Sequence, residues 1–484
     1  MLGAEGSEKC AVFDYYRRVC ARGKSAAPGS PGMGPRREPT FLEEKGMRGQ
    51  QPWWSVLVAA VLGGLVGVTA VAAGEQFLPV LSTREGAQRF LQIPLADGYI
   101  AYLTLLNERD GGINGVKLVW EECETVVDVP RAVECYERLK TKGPTGAAAF
   151  PMHSTPLVNA LIERATHDQI PLLNMGFGRS DAADGRVFPY VFTIPTTWWS
   201  LNTAKIRFIG QRAGGLDKLK GRKIAHVYID TDYGRETLPI LDHQAAQYGF
   251  TVQHLPVQPP GLDQKATWLR VKVAQPDWVI LRTAGVSTTT ALKEATQVGF
   301  SRDKMVGPTP TCAEQDVVPA GAAALGFICA TSYGTGTHFP LIQEIRQYVY
   351  GRGQGAGPEQ DVGTASWIRG MLRGLLTAEA IRMAMRHFGH QPLTGAQVQW
   401  GFEHLTLTAA SLKELGAEGL LTPFTLSCRD HEGGGGVQFQ QWDGKQWHGI
   451  TDWIATDQAL VRPLVEASAA RYAQEKGITP RTCP

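Results

Sequence analysis

The chain has 484 residues, of which 43% are hydrophobic and 19% charged; it is long enough for two or three domains with real cores and too apolar for wholesale disorder. Its formal net charge is +2, with lysine and arginine scattered in no long block. That distribution excludes a nucleic-acid groove and points to a small neutral or weakly charged partner.

Residues 56–73, "VLVAAVLGGLVGVTAVAA", form an uncharged apolar run after Arg48 and close on Ala70-Val71-Ala72, an arrangement that signal peptidase accepts. A secretory signal is expected here, with an uncleaved membrane anchor as the alternative, since 18 apolar residues just reach across a bilayer. The 46 residues before Met47, rich in Gly, Pro and charge, are out of place ahead of a signal, so Met47 is expected to be the true start. Of the eight cysteines, Cys10 and Cys20 precede the run. The other six form no C-x-x-C pair, which argues against a zinc knuckle or thioredoxin-type motif, and their even number predicts one to three disulfides in an oxidising periplasm. Cys123 follows the strand pattern "VKLVWEE" and Cys135 sits on the next helix, so Cys123–Cys135 is the first expected pair.

Strand and helix patterns then alternate. "FLPVLS" is a short apolar run, "LADGYIAYLTLLNER" has helical spacing, "GGING" is a turn, and "VKLVWEE" is again a strand. The helix "PRAVECYERLK", the apolar "GAAAF", the helix "TPLVNALIERATHD" and the strand "IPLLNM" follow. After "PYVFTIPTTWWS" the series restarts with the helix "LNTAKIRFIGQR", the strand "KIAHVYI", "GFTVQHLPV", the helix "DQKATWLRVKVAQ", the strand "DWVILRT", the helix "STTTALKEATQVG" and the strand "MVGPT". Two such series predict an α/β chain of two Rossmann-like lobes with parallel sheets. The helices "PLIQEIRQYVYG" and "MLRGLLTAEAIRMAMRHFG" belong to neither series, so the chain is expected to cross back to the first lobe near residue 333. "PFTLSCRDHEGGGGVQFQQWDGKQWHGI" reads as two strands around a glycine loop with a hairpin at Asp443-Gly444, and "DQALVRPLVEASAARYAQEKG" as an outer helix. The expected partition is 1–73 upstream segment and signal, 74–195 plus 333–415 lobe one, 196–332 plus 416–452 lobe two, and 453–484 a helical tail.

Ligands of parallel α/β sheets sit beyond the carboxyl ends of the strands, where loops lead into helix N-termini. Tyr233 lies at such an end, in "IDTDYG", and either faces a ligand or only packs; Asp230 or Asp232 caps the helix that follows. At the equivalent place in lobe one, Ser154 and Thr155 precede Pro156, a first-turn residue, and offer hydroxyls and backbone N–H groups to a carboxylate, or simply cap the helix. His153 beside Ser154 lacks a third residue to orient it, so nucleophilic catalysis is not expected. There is no G-x-S-x-G, H-E-x-x-H or P-loop, and Asp430-His431-Glu432 has no partner cluster for a metal. No cofactor or metal is expected.

The ordered set "LNERDGGINGVKLVWEE", "AAAFPMHSTP", "IPLLNMGFG", "YVFTIPTT", "VYIDTDYGRE", "QPDWVILRTAGVSTTTALKEATQVGF" and "VGPT" resembles the type I periplasmic solute-binding proteins of the branched-chain amino acid and amide uptake family, over roughly residues 77 to 450. The resemblance implies a three-crossover hinge and a small-molecule solute held in the cleft. It also implies delivery to the ABC permease subunits in the inner membrane, a periplasmic location and a monomer. It places the carboxylate seat on Ser154, Thr155, Gly176 and Gly178, the lobe-two tyrosine on Tyr233, and a tight turn on Thr283 and Ala284. Where amino acid binders have an acid after Gly-Pro that holds the ligand ammonium, this chain has Thr309.

Burying an ammonium without an opposing charge costs several kcal/mol. Glu314 stands near in sequence but is not expected to replace the missing acid, and Arg84 in the first loop either meets an anion or stays exposed. Phe177 and the Trp198-Trp199 pair offer rings for stacking, one Trp expected at the ligand and one in the hinge. The expected ligand is an aromatic or other carboxylate lacking an ammonium. A branched-chain amino acid or amide is the alternative. A sensory domain of this fold is a further alternative, disfavoured because the chain ends at Pro484 without a signalling module; an α/β enzyme is disfavoured by the lack of any catalytic set.

Overall fold

The computed structural model describes residues 74–86 and 88–484. The expected signal at 56–73 and the start at Met47 lie outside the described residues. Strand β1 (Glu75–Ser82), helix α1 (Arg89–Asp110), β2 (Lys117–Glu124), α2 (Val129–Leu139), β3 (Phe150–Pro151), α3 (Thr155–Asp168), β4 (Leu172–Leu173) and β5 (Val191–Phe192) build the first lobe in strict alternation. β1 and β2 pair in parallel, as do β3, β4 and β5. The Ala148 N–H donates to the Phe77 carbonyl at 3.1 Å and ties the two pieces together.

The second series is α4 (Trp198–Ala213), β6 (Lys223–Ile229), α5 (Leu238–Tyr248), β7 (Thr251–Val257), α6 (Lys265–Ala274), β8 (Trp278–Arg282), α7 (Val286–Gln297), β9 (Met305–Pro308) and β10 (Ile328–Thr331). Its strands run parallel in the order β10, β9, β8, β6, β7. Ile224 to Tyr228 are buried without a polar face, as a strand covered by helices on both sides requires.

The chain then returns to lobe one with α8 (Pro340–Tyr348), α9 (Ala365–Phe388), α10 (Gly395–Glu403), β11 (Thr406–Leu407) and β12 (Phe424–Thr425). Phe424–Thr425 pairs with Thr406–Leu407 and packs among the lobe-one core residues. The glycine loop therefore separates β12 from a different sheet and does not join two neighbouring strands as the sequence pattern suggested. β13 (Gln438–Trp442) adds to β10 antiparallel, and β14 (Trp447–Gly449) completes a hairpin at the lobe-two edge, turned by the Asp443 carboxylate, which accepts from the Lys445 and Gln446 N–H groups. The chain thus passes between the lobes three times, at 193–197, 332–339 and 427–437.

Helix α11 (Gln458–Lys476) lies over this hinge region. Val461 and Val465 pack with Trp199 and Ile240, and Tyr472 stacks on Phe188 at 4.8 Å. Sulfur–sulfur bonds join Cys123 to Cys135, Cys312 to Cys329 and Cys428 to Cys483, the last fastening the C-terminal segment. None of the helices among the described residues is long and apolar enough to cross a membrane.

Candidate functional site

Between the lobes lies a cavity of about 210 Å³ bounded on the lobe-one side by Gln92, His153, Ser154, Thr155 and Phe177, and on the lobe-two side by Tyr233, Ala284, Gly285 and Pro310. Apart from Gln92, on the first turn of α1, the walls are strand-end loops and the helix starts they lead into. Ser154 is extended and precedes α3 without spending its side chain on the cap, and Pro156 sits in the first turn. The Thr155 hydroxyl accepts from the Gly178 N–H at 3.1 Å, which binds the loop after β4 to the start of α3. Gly178 has φ +88°, and a side chain there would collide with Val158, so the residue type is fixed by both backbone and space.

The expected residues divide into two groups. Ser154, Thr155, Phe177, Tyr233 and Ala284 line the cavity; Gly176, Gly178, Trp198, Thr283 and Thr309 stand behind that lining. Thr283 and Thr288 share a hydroxyl hydrogen bond of 2.9 Å, and Thr311 donates to the Thr283 carbonyl at 2.7 Å, so these hydroxyls shape the turn that presents Ala284 and Gly285. Trp198 packs edge-on against Phe177 and Tyr233, at 5.8 and 5.7 Å between centroids. Trp199 donates its indole N–H to the Glu236 carbonyl and packs under α11. The two tryptophans open α4, capped by Thr197, and are not the extended crossover that the reading of "TTWWS" supposed. Successive helical positions diverge by about 100°, which sends the rings to different neighbours.

Several polar residues have other duties than the ligand. Asp230 accepts from Arg235 and Gln258 and caps nothing, and the Asp232 side chain does not cap either; the one-turn helix there follows Thr231. Arg84 is paired with Asp97 at 2.8 Å and with Glu122. Glu314 accepts from the Ala365 N–H at 3.0 Å, at the start of α9, and so ties lobe two to lobe one. Ser180 N–H donates to Glu236 at 2.7 Å, a second tie between the lobes. His153 is within 3.2 and 3.3 Å of the Thr125 and Thr83 hydroxyls; burial, helped by Arg373, pushes its pKa down to about 3, so the ring is neutral. Asp430, His431 and Glu432 serve the hinge: His431 bonds Glu403 at 3.0 Å, and Glu432 accepts from the Thr197 N–H at 2.8 Å. Among the described residues no His, Cys, Asp and Glu cluster is suited to a metal.

The residues that the sequence reading missed are cations. Arg282, at the end of β8, lies over the rings of Tyr233 and Trp198 at 4.3 and 4.6 Å. Arg369, on α9, lies over Phe177 and Trp198 at 4.0 and 5.6 Å, and Arg373 stands 5.8 Å from Phe177. All three are buried, at 0%, 4% and 1% exposure, and no carboxylate of the described residues pairs with any of them. Burial lowers the pKa of all three, and in Arg373 the neighbouring Arg369 adds to the effect. The signal was in the sequence: an arginine closing the apolar "WVILR", and two arginines four apart in the otherwise apolar "WIRGMLRGLL".

Two α/β lobes closing on a cavity at their strand ends define a hinged solute-binding protein. The family model described as periplasmic binding protein matches residues 75–446, and the chain belongs to that family. A solved structure called an ABC transporter permease, from the Pseudomonas fluorescens group, is 43% identical, with 85% of this chain and 100% of that chain covered and a TM-score of 0.81. A branched-chain amino acid ABC transporter protein from Thermus thermophilus with bound valine is 20% identical, covering 81% and 99%, at TM-score 0.68. A solute-binding protein from R. palustris in complex with benzoate is 14% identical, covering 79% and 97%, at 0.61. No curated protein matches the chain. The family consists of extracytoplasmic, non-enzymatic substrate-binding proteins of ABC transporters, which implies a small-molecule ligand and a permease partner.

The Tyr233 ring contributes both cavity wall and a seat for Arg282. Tyr233→Ala is expected to weaken ligand binding at least about tenfold through lost burial and ring contact, measured by isothermal calorimetry.

Proposed function

We propose that this chain is the periplasmic receptor of an uptake transporter, exported by the segment 56–73, and that its ligand is an organic carboxylate lacking an ammonium group. The observation that carries this reading is the charge of the cleft: three buried arginines stand behind its rings, and none of the residues lining the cavity is an Asp or Glu. An α-amino acid would bring an ammonium into a cavity whose lining offers no acid to receive it, at a cost of several kcal/mol. Solved neighbours hold valine in one case and benzoate in another, so the fold admits both and the charge selects. Closure around the carboxylate drives the hinge, no bond is made or broken, and the closed monomer hands its ligand to the permease.

A thermal-shift screen tests this. A binder raises the melting temperature by mass action. Aromatic and aliphatic carboxylates are expected to do so and branched-chain amino acids to leave it unchanged; the reverse pattern refutes the ligand assignment and leaves the receptor reading to amino acids or amides.

A further inference from the structure

The two aromatic rings of the cavity wall are held from behind in the same way, once in each lobe. In lobe one, Arg369, early in α9, lies 4.0 Å over the Phe177 ring and donates through Nη2 to the Met175 carbonyl of the same loop. In lobe two, Arg282 ends β8 opposite Tyr228 of β6, lies 4.3 Å over the Tyr233 ring and donates through Nε to the Tyr233 carbonyl at 2.7 Å. Both guanidiniums also lie over one indole, that of Trp198, Arg369 at 5.6 Å and Arg282 at 4.6 Å. Trp198 meets Phe177 and Tyr233 edge-on, and those two rings stand 6.5 Å apart. Phe177 and Tyr233 line the cavity, whereas Trp198 and the two arginines stand behind them.

The loop that carries Phe177 is not held by its own backbone. Met175 has φ +44° and Gly176 φ +94°, and a residue with a side chain takes that left-handed region only at a cost, which the bond from Arg369 to the Met175 carbonyl offsets. A guanidinium suits the task in both lobes, because its face stacks on a ring while its edge donates in the plane. The remaining donors gain nothing: both Nη atoms of Arg282 and the Nε of Arg369 have no partner. Packing alone would be served as well by an apolar side chain of the same volume, without the cost of a buried cation. From this paired arrangement we propose that Arg282 and Arg369 are positioning residues for solute binding: neither touches the solute, and each fixes the ring that does. A ring already fixed loses no freedom when the solute arrives, so more of the contact energy appears as affinity. The inference rests on the cavity being the solute site and holds for any organic solute that it takes.

A double-mutant cycle on affinity tests this, with benzoate titrated by calorimetry into the full chain, and valine in its place if the parent takes only the amino acid. Arg369→Met and Arg282→Met, which remove a charge and keep the volume, are each expected to weaken binding at least about fivefold without lowering the melting temperature. Phe177→Leu and Tyr233→Leu weaken binding by themselves. In the Phe177→Leu background Arg369→Met is expected to cost less than about twofold more, and Arg282→Met likewise in Tyr233→Leu. Arg369→Lys, which keeps a cation for the ring, is expected to bind more tightly than Arg369→Met. Losses that add in the double variants, a melting temperature lower by several degrees, or an Arg369→Lys no better than Arg369→Met show that the arginines serve the fold. Any of these overturns the positioning assignment and leaves the cavity as the solute site. If Phe177→Leu and Tyr233→Leu leave affinity unchanged, or the parent binds neither probe, the cavity reading and the assignment fall together.

Discussion

Gly370→Val is expected to lower the melting temperature by roughly 10 °C, the loss of about 3 kcal/mol or more that overpacking between two buried helices brings. Helix α9 is buried on every side from Ala365 to Ala378, and α1 from Pro94 to Leu106, so the two helices form the centre of lobe one. They approach backbone to backbone. A Cβ at residue 370 would lie 1.9 Å from the Leu95 carbonyl oxygen, and one at Gly98 would lie 2.0 Å from that of Trp367. A flexible side chain can turn away from such an intrusion, whereas a helix carbonyl can move only with its helix. Separating the helices also shifts Arg369 and Arg373, which flank residue 370, so ligand binding is expected to fall with stability. Thermal unfolding followed by circular dichroism reads the effect; a melting temperature within about 2 °C of the parent's would show that the helices separate at no cost.

The α/β alternation was legible because each parallel strand is a continuous apolar run bounded by turn residues, and the helices between carry a 3.6-residue pattern. "KIAHVYI" before Tyr233 and "MHSTP" before α3 announced two loops that line the cavity. The short strands were harder. β11 and β12 are two residues each and pair across the intervening chain, a contact that no local pattern encodes. The tryptophans were misplaced because Thr197 caps α4 three residues before the apolar periodicity becomes visible. The arginines were missed for another reason. An arginine at a strand end normally reaches solvent, and whether it does depends on what the opposite lobe brings against it, which is tertiary information. Arg373 lies in the helix read from Met371 and Arg369 just before it, and only the close approach of α1 to the glycines at 370 and 374 shows how deeply that stretch is buried.

Raising the pH from 6.5 to 8.5 is expected to destabilise the ligand-free fold, by about 0.8 kcal/mol for each fully buried carboxyl that ionises in that window. Asp316 and Glu432 are 4% and 2% exposed, and burial raises both pKa values to about 7, from ordinary values of 3.8 and 4.5. In Glu432 the charge of Asp430 adds to the effect, while the Gly285 N–H on Asp316 and the Thr197 N–H on Glu432 offset part of it. The folded state therefore holds protons that the unfolded chain has released, so stability falls as pH rises from the ordinary carboxyl range to the folded values near 7 and levels off above them. His153 has the opposite sign: its folded pKa near 3 lies below the ordinary 6.5, so its contribution is complete above pH 6.5 and is lost only on acidification. Above 6.5 the carboxyls act unopposed by it, and below that pH the two effects compete and the profile flattens. Melting temperatures at fixed ionic strength are expected to drop by several degrees between the two pH values. Glu236 and Glu314, which burial also raises to about 7, add to the slope, so Glu432→Gln, which retains an oxygen to accept the Thr197 N–H, is expected to remove only its own share of it. A melting temperature that rises over this window would mean that Asp316 and Glu432 are ionised in the folded protein at pH 6.5, with counter-charges that the closed hinge does not supply.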